Sequence, residues 1–126
     1  MGLFDGLLGH ATSVDVQKLQ NEFAPILVDE EELLAAYKLI RDMFVFTNMR
    51  LILIDKQGVT GKKAEYQTIP YYSIVRFAKE SAGILDLDAE LKIWIRGQSE
   101  PIVKEFKKGD SVNEVYRLLG KAVLQP

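Results

Sequence analysis

The sequence predicts a mainly β domain: a seven-stranded antiparallel, partly open barrel capped by a C-terminal α-helix, with a helical arm ahead of it. Three observations predict this. Short apolar runs, divided by turn-forming residues, follow one another from residue 33 to residue 107. Several of them alternate apolar and polar side chains with the period of two that a strand imposes. The last stretch carries one apolar stripe at helical spacing, a natural plug for one mouth of a small barrel. At 126 residues the chain suits one domain and buries roughly two-thirds of its unfolded surface.

Residues 1–30 form the arm. Thr12 and Asp15 have the spacing of a capping box, in which each side chain satisfies the other's orphan backbone N–H. Val16, Leu19 and Phe23 then recur at helical spacing, and Pro25 limits the helix. Residues 29–32, all acidic, form a turn into the next element.

The barrel occupies residues 31–108. Residues 33–40, 43–47 and 51–55 are rich in aliphatic and aromatic side chains, broken at Arg41-Asp42, Thr47-Asn48 and Gln57-Gly58, which is the spacing of a meander with tight hairpins. These runs are apolar on both faces, so both faces are expected to be covered. From residue 63 to 69, Ala64, Tyr66 and Thr68 alternate with Lys63, Glu65 and Gln67, as in a half-buried strand that Pro70 ends. Residues 73–80 place Val75 and Phe77 on one face and Arg76 on the other. Leu91, Ile93 and Ile95 against Lys92, Trp94 and Arg96 are the clearest alternation, with Trp94 on the outward face. Residues 102–107 complete the strands. In the helix at 111–124, Ser111 and Glu114 have capping-box spacing, and Val112, Val115, Leu118, Leu119, Ala122 and Val123 form the stripe.

Composition narrows the function. Net charge is −2 with no cysteine, which argues against nucleic acid as a partner and removes disulfides, thiolate nucleophiles and Cys-ligated zinc, so a cytoplasmic location is expected. No apolar run approaches the roughly 20 residues that span a bilayer. The single His10 lies in the arm, a poor support for a catalytic or metal site. Gly58-Val59-Thr60-Gly61-Lys62-Lys63 resembles a phosphate loop only superficially: its glycines are too close, and no Ser or Thr follows the lysine. Asp86, Asp88 and Glu90 share one side of an extended segment and span too far for a calcium cage. No cofactor, metal or catalytic residue is expected.

The stretch from Glu32 to Asp42, followed by Phe46-Thr47-Asn48-Met49-Arg50-Leu51-Ile52-Leu53-Ile54-Asp55-Lys56-Gln57-Gly58, resembles the bacterial pleckstrin-homology (PH) domain family. So do Ile69-Pro70-Tyr71-Tyr72-Ser73-Ile74 and Glu90-Leu91-Lys92-Ile93-Trp94-Ile95. The likeness spans nearly the whole chain and rests on the order of several motifs. It implies a PH-like barrel without catalytic activity that assembles into a small cyclic homo-oligomer, a fivefold ring, and binds protein on a polar groove where strands of neighbouring protomers meet. The groove is placed on Arg41, Asp42, Asn48, Arg50, Asp55 and Gln57, with Tyr71, Tyr72 and Arg76 beyond them. Subunit contacts are placed on Leu3, Phe4, Leu7 and Leu8 of the arm and on Trp94.

Lipid binding is the competing reading. Lipid-binding PH domains clamp phosphates with a lysine near the end of the first strand and an Arg/Lys-x-Arg on the second. Lys38 and Arg41 answer to the first part, but Met43-Phe44-Val45-Phe46 carries no cation.

Overall fold

The computed structural model describes residues 15–39, 41–57, 63–81, 88–107 and 111–125. They fall into two compact units divided after Ile69. The first helix starts where Asp15 stops extending: its carboxylate accepts the backbone N–H groups of Gln17 at 3.0 Å and Lys18 at 3.4 Å. Asp15 is therefore the N-cap of α1 (Val16–Phe23). The expected box put Asp15 at the third helical position with Thr12 as cap; Thr12 lies outside the described residues. Pro25 ends the helix as expected, and Ala24–Ile26 tighten into a 3-10 turn.

The first unit's sheet has the order β1 (Leu33–Lys38), β2 (Asp42–Thr47), β3 (Arg50–Gln57), β4 (Lys63–Pro70). β1 pairs antiparallel with β2, and β2 with β3. The register sorts the side chains. Ala36, Val45 and Ile52 share one face, where Leu19 and Phe23 of α1 pack on them. Tyr37, Phe44 and Leu53 share the opposite face with Phe46 and Leu51, and all five are buried. The double burial expected of these runs is thus present. Each such side chain contributes about 1.5–3 kcal/mol.

β4 differs from expectation. Its alternation predicts one buried face, yet Lys63 through Thr68 are all exposed and only Ile69 is buried. Among the described residues the strand has a ladder neighbour on one side only, and its side chains make single contacts outward from it, such as the edge-on ring pair of Tyr66 with Phe23, centroids 6.1 Å apart, and the Thr68 hydroxyl accepting from Arg50 at 2.7 Å.

The second unit opens with a 3-10 turn at Tyr71–Ser73, tightened by the Ser73 hydroxyl donating to the Pro70 carbonyl at 2.7 Å. Its sheet has the order β5 (Ile74–Ser81), β6 (Ala89–Ile95), β7 (Ile102–Phe106), all antiparallel. The seven strands are therefore arranged as sheets of four and three. A bulge between Ile74 and Arg76 gives β5 one extra residue, Val75, which is exposed instead of sharing a face with Phe77.

The inner face of this sheet carries Phe77 and Ile93, with Leu91, Ala89 and Phe106 beyond them. α2 (Val112–Leu124) lies against β5 and β6. Its Val115, Leu118 and Leu119 are buried, and Tyr116 meets Phe77 edge-on at 5.2 Å. Ser111 stands at the N-cap as its spacing predicts, and is buried, but makes no side-chain capping bond.

Candidate interaction surfaces

The sequence-selected residues come to rest in three places. Arg41, Asp42, Asp55 and Gln57 gather at one end of the first sheet. There Asp42 stands opposite Asp55 in the ladder, and the Lys56 N–H donates to the Arg41 carbonyl at 3.0 Å. Asn48 and Arg50 sit at the other end, in the hairpin between β2 and β3. Tyr71, Tyr72, Arg76 and Trp94 belong to the second unit. Leu3, Phe4, Leu7 and Leu8 lie outside the described residues.

The hairpin pair is committed to the fold. Glu30 adopts a left-handed backbone, φ 69°, and the chain reverses there so that Glu31 turns inward. The Glu31 side chain is 1% exposed and pairs with Arg50 Nε at 2.7 Å. Its carboxylate also accepts from Arg50 Nη2 at 3.0 Å, the Thr47 hydroxyl at 2.7 Å and the Val28 N–H at 3.1 Å. Burial pushes the Glu31 pKa up. The Arg50 guanidinium, the Thr47 hydroxyl and the Val28 N–H outweigh it and hold the carboxyl below its ordinary range.

Arg50 spends its remaining donors on the Thr68 hydroxyl at 2.7 Å and the Ile26 carbonyl at 2.8 Å. One guanidinium thereby ties together the segment after α1, the hairpin and β4. Asn48 does similar work, accepting from the Glu32 N–H at 2.8 Å and donating to the Glu30 carbonyl at 3.0 Å. Sequence reading treats both as surface polar residues. An Asn or Arg beside a hairpin gives no sign of which acid it will meet.

Two other surfaces remain open. At the β1–β2 end, a small concavity is lined by Lys38, Arg41, Asp42 and Lys56 together with Leu39, Met43 and Ile54. Lys56 is the cation the sequence reading missed. It comes from β3, and only the β2–β3 register brings it beside the first two.

In the second unit, Arg76 lies over the Trp94 ring, its guanidinium carbon 4.3 Å from the ring centroid. They are directly opposed across β5 and β6. Arg96 follows Trp94 by two residues. Its N–H donates to the Ser73 carbonyl at 2.8 Å and its Nη2 to the Tyr72 carbonyl at 3.0 Å, before Gly97 turns the chain at φ 85°. Tyr72 is 81% exposed and Val75 53%. Tyr, Trp and Arg are the residue types enriched at the centres of protein interfaces. The opposite end of the same outer face carries Glu80, Glu90 and Glu105 in one cross-strand row. Lys92 bonds Glu80 at 2.9 Å and Lys107 bonds Glu105 at 3.3 Å.

Among the described residues no group of three or more His, Cys, Asp or Glu side chains is placed to hold a metal ion. No described helix is long and apolar enough to cross a membrane.

Antiparallel sheets of four and three strands followed by a C-terminal helix follow the plan of a PH domain. The chain belongs to the Bacterial PH domain family, whose family model matches residues 2–123. It is 56% identical in sequence to the pleckstrin-homology domain from Shewanella amazonensis SB2B, with a TM-score of 0.85 and coverage of 98% of this chain and 100% of that one. It is 53% identical to a DUF1696 family protein with a pleckstrin-homology domain from Shewanella loihica PV-4, at a TM-score of 0.78 over 89% of this chain and 96% of that one. Among curated proteins it is 54% identical to the uncharacterized protein YjqA of Bacillus subtilis (strain 168), over 94% of this chain and 96% of that protein.

Proposed function

We propose that the protein is a non-catalytic, cytoplasmic binding module that assembles into a cyclic homo-oligomer, a fivefold ring, and presents a polar groove to a protein partner. The observation that carries this reading is the sheet edges. Among the described residues β4 has a ladder partner only in β3 and β5 only in β6, as β1 has only in β2 and β7 only in β6. Open edges pair with other strands, and identical subunits joined head to tail close into rings when the rotation allows. The Tyr72, Arg76 and Trp94 cluster beside β5 supplies the aromatic and guanidinium groups that contacts with a protein partner favour. Arg41, Asp42, Asp55, Gln57, Tyr71, Tyr72 and Arg76 are the proposed polar lining of that groove between neighbouring protomers, while Asn48 and Arg50 are taken up by the hairpin. Amide hydrogen exchange over a dilution series tests this: protection of β4 and β5 amides rises with protein concentration if edges pair, and concentration-independent exchange in both strands refutes it.

A second reading rests on Lys38, Arg41 and Lys56. Three cations against the one carboxylate of Asp42 around this concavity leave a net positive lining that suits a single anionic lipid phosphate. Co-sedimentation with phosphatidylserine vesicles separates the two. Strong pelleting, lost at high salt and in Lys56→Gln, favours the membrane; no pelleting favours the protein-binding ring.

A further inference from the structure

We propose that the Arg76–Trp94–Arg96 end of the second sheet is a docking site for an extended acidic peptide whose carboxylates stand two residues apart. The inference rests on the protein-binding reading above and names the chemistry of the partner.

The first argument is uncompensated charge. Arg50 is consumed by Glu31, and Lys92 by Glu80. Arg76 and Arg96 have no ion pair among the described residues: Arg76 stacks on Trp94, and Arg96 bonds a carbonyl. In a chain of net charge −2, two guanidiniums left without carboxylates at one aromatic end make a local cationic site. Stacking on Trp94 occupies the face of the Arg76 guanidinium and leaves its N–H edge free to fork onto a carboxylate.

The second argument is spacing. Arg76 is directly opposite Trp94, and Arg96 follows Trp94 by two residues, just past the end of β6 and beside the bulge, so the two arginine backbones stand close to diagonal cross-strand positions. Such positions stand about 7–8 Å apart. Alternate side chains of an extended peptide stand about 6.6–6.8 Å apart. An extended Asp/Glu-x-Asp/Glu segment therefore matches the spacing of the two arginine backbones, and the long side chains carry the guanidiniums to its carboxylates.

The third argument is the apolar surround. Val75, pushed out by the bulge, and Tyr72, fixed by the bond from Arg96 to its carbonyl, flank the arginines. They give the peptide's uncharged side chains something to cover.

The test is selection of a phage-displayed random heptapeptide library on the intact protein, in parallel on Arg76→Gln and Arg96→Gln. Enriched peptides then go to fluorescence polarisation beside a single-stranded oligothymidylate. Near-ultraviolet circular dichroism of each variant confirms that it folds. The expected result is enrichment of peptides with Asp or Glu two positions apart, and affinity lowered at least about tenfold by either substitution. No enrichment, enrichment without spaced acids, equal binding by both variants, or tighter binding of the oligonucleotide overturns the proposal. Light scattering on the same sample reads the ring separately: an oligomer that takes no acidic peptide sinks this inference alone, and a monomer that takes it sinks the ring alone.

Discussion

Arg50→Met is the most informative single change for the fold. It removes two bonds to the Glu31 carboxylate, at 2.7 and 3.0 Å, and the bonds to Thr68 and to the Ile26 carbonyl, at 2.7 and 2.8 Å. The Arg50 side chain is 17% exposed and that of Glu31 1%, so water reaches one partner slightly and the other scarcely. Removing one partner of a buried pair leaves the other charge uncompensated, at a cost of about 3–5 kcal/mol. The thermal midpoint then falls by roughly 10–20 °C at this chain length. The pair itself is worth far less than that loss, because both groups surrender hydration to meet. Glu31→Met with Arg50→Met should therefore recover most of the stability, to within about 1–2 kcal/mol of the parent. Urea unfolding at fixed protein concentration measures all four corners of the cycle. If Arg50→Met costs less than about 1 kcal/mol, or the double variant is no better than the single, the account of Glu31 as a buried charge satisfied by Arg50 is wrong.

Other expectations follow from the same contacts. The Glu31 pKa is lowered in the folded state from an unfolded value near 4.5, so the network's stabilisation is complete above that value and is lost as pH falls through the lower folded pKa. Acid unfolding curves should show this loss for the parent and lack it for Glu31→Gln. Asn48→Ala removes both hairpin bonds and should cost about 1–3 kcal/mol in the same urea assay. Glu30→Asn keeps a polar residue at φ 69° with less backbone strain, and should raise stability by up to about 1 kcal/mol. Asp15→Ala deletes the N-cap of α1 and should cost about 1 kcal/mol.

How much of this was legible before the fold was known depends on the kind of signal. The apolar runs of β1 to β3 declare themselves because a sheet buried on both faces needs apolar side chains at every position, and Phe44, Val45 and Phe46 supply them. The alternation around Leu91 and Ile93 is as plain, because one face lies under α2 and the other does not. β4 shows the limit of the same rule. Ala64, Tyr66 and Thr68 alternate correctly, but alternation tells which side chains suit a core and not whether a core lies beside them.

The site was less legible for a related reason. Arg50 and Arg76 are both arginines next to strands, yet one is enclosed by a carboxylate 19 residues away and the other is stacked on an indole in the open. The difference comes from which strands pair and in what register. Lys56 likewise joins Lys38 and Arg41 only through the β2–β3 ladder. Asp15 caps its helix instead of standing inside the first turn because Thr12 and Asp15 both qualify as caps, and the box spacing alone does not choose between them.

The claim at the centre of this account is that the PH fold works here as a ring built from open strand edges. Native mass spectrometry of the intact chain at micromolar concentration tests it most directly. The account predicts one closed species at five times the 14.3 kDa chain mass. A 14.3 kDa monomer at that concentration contradicts it.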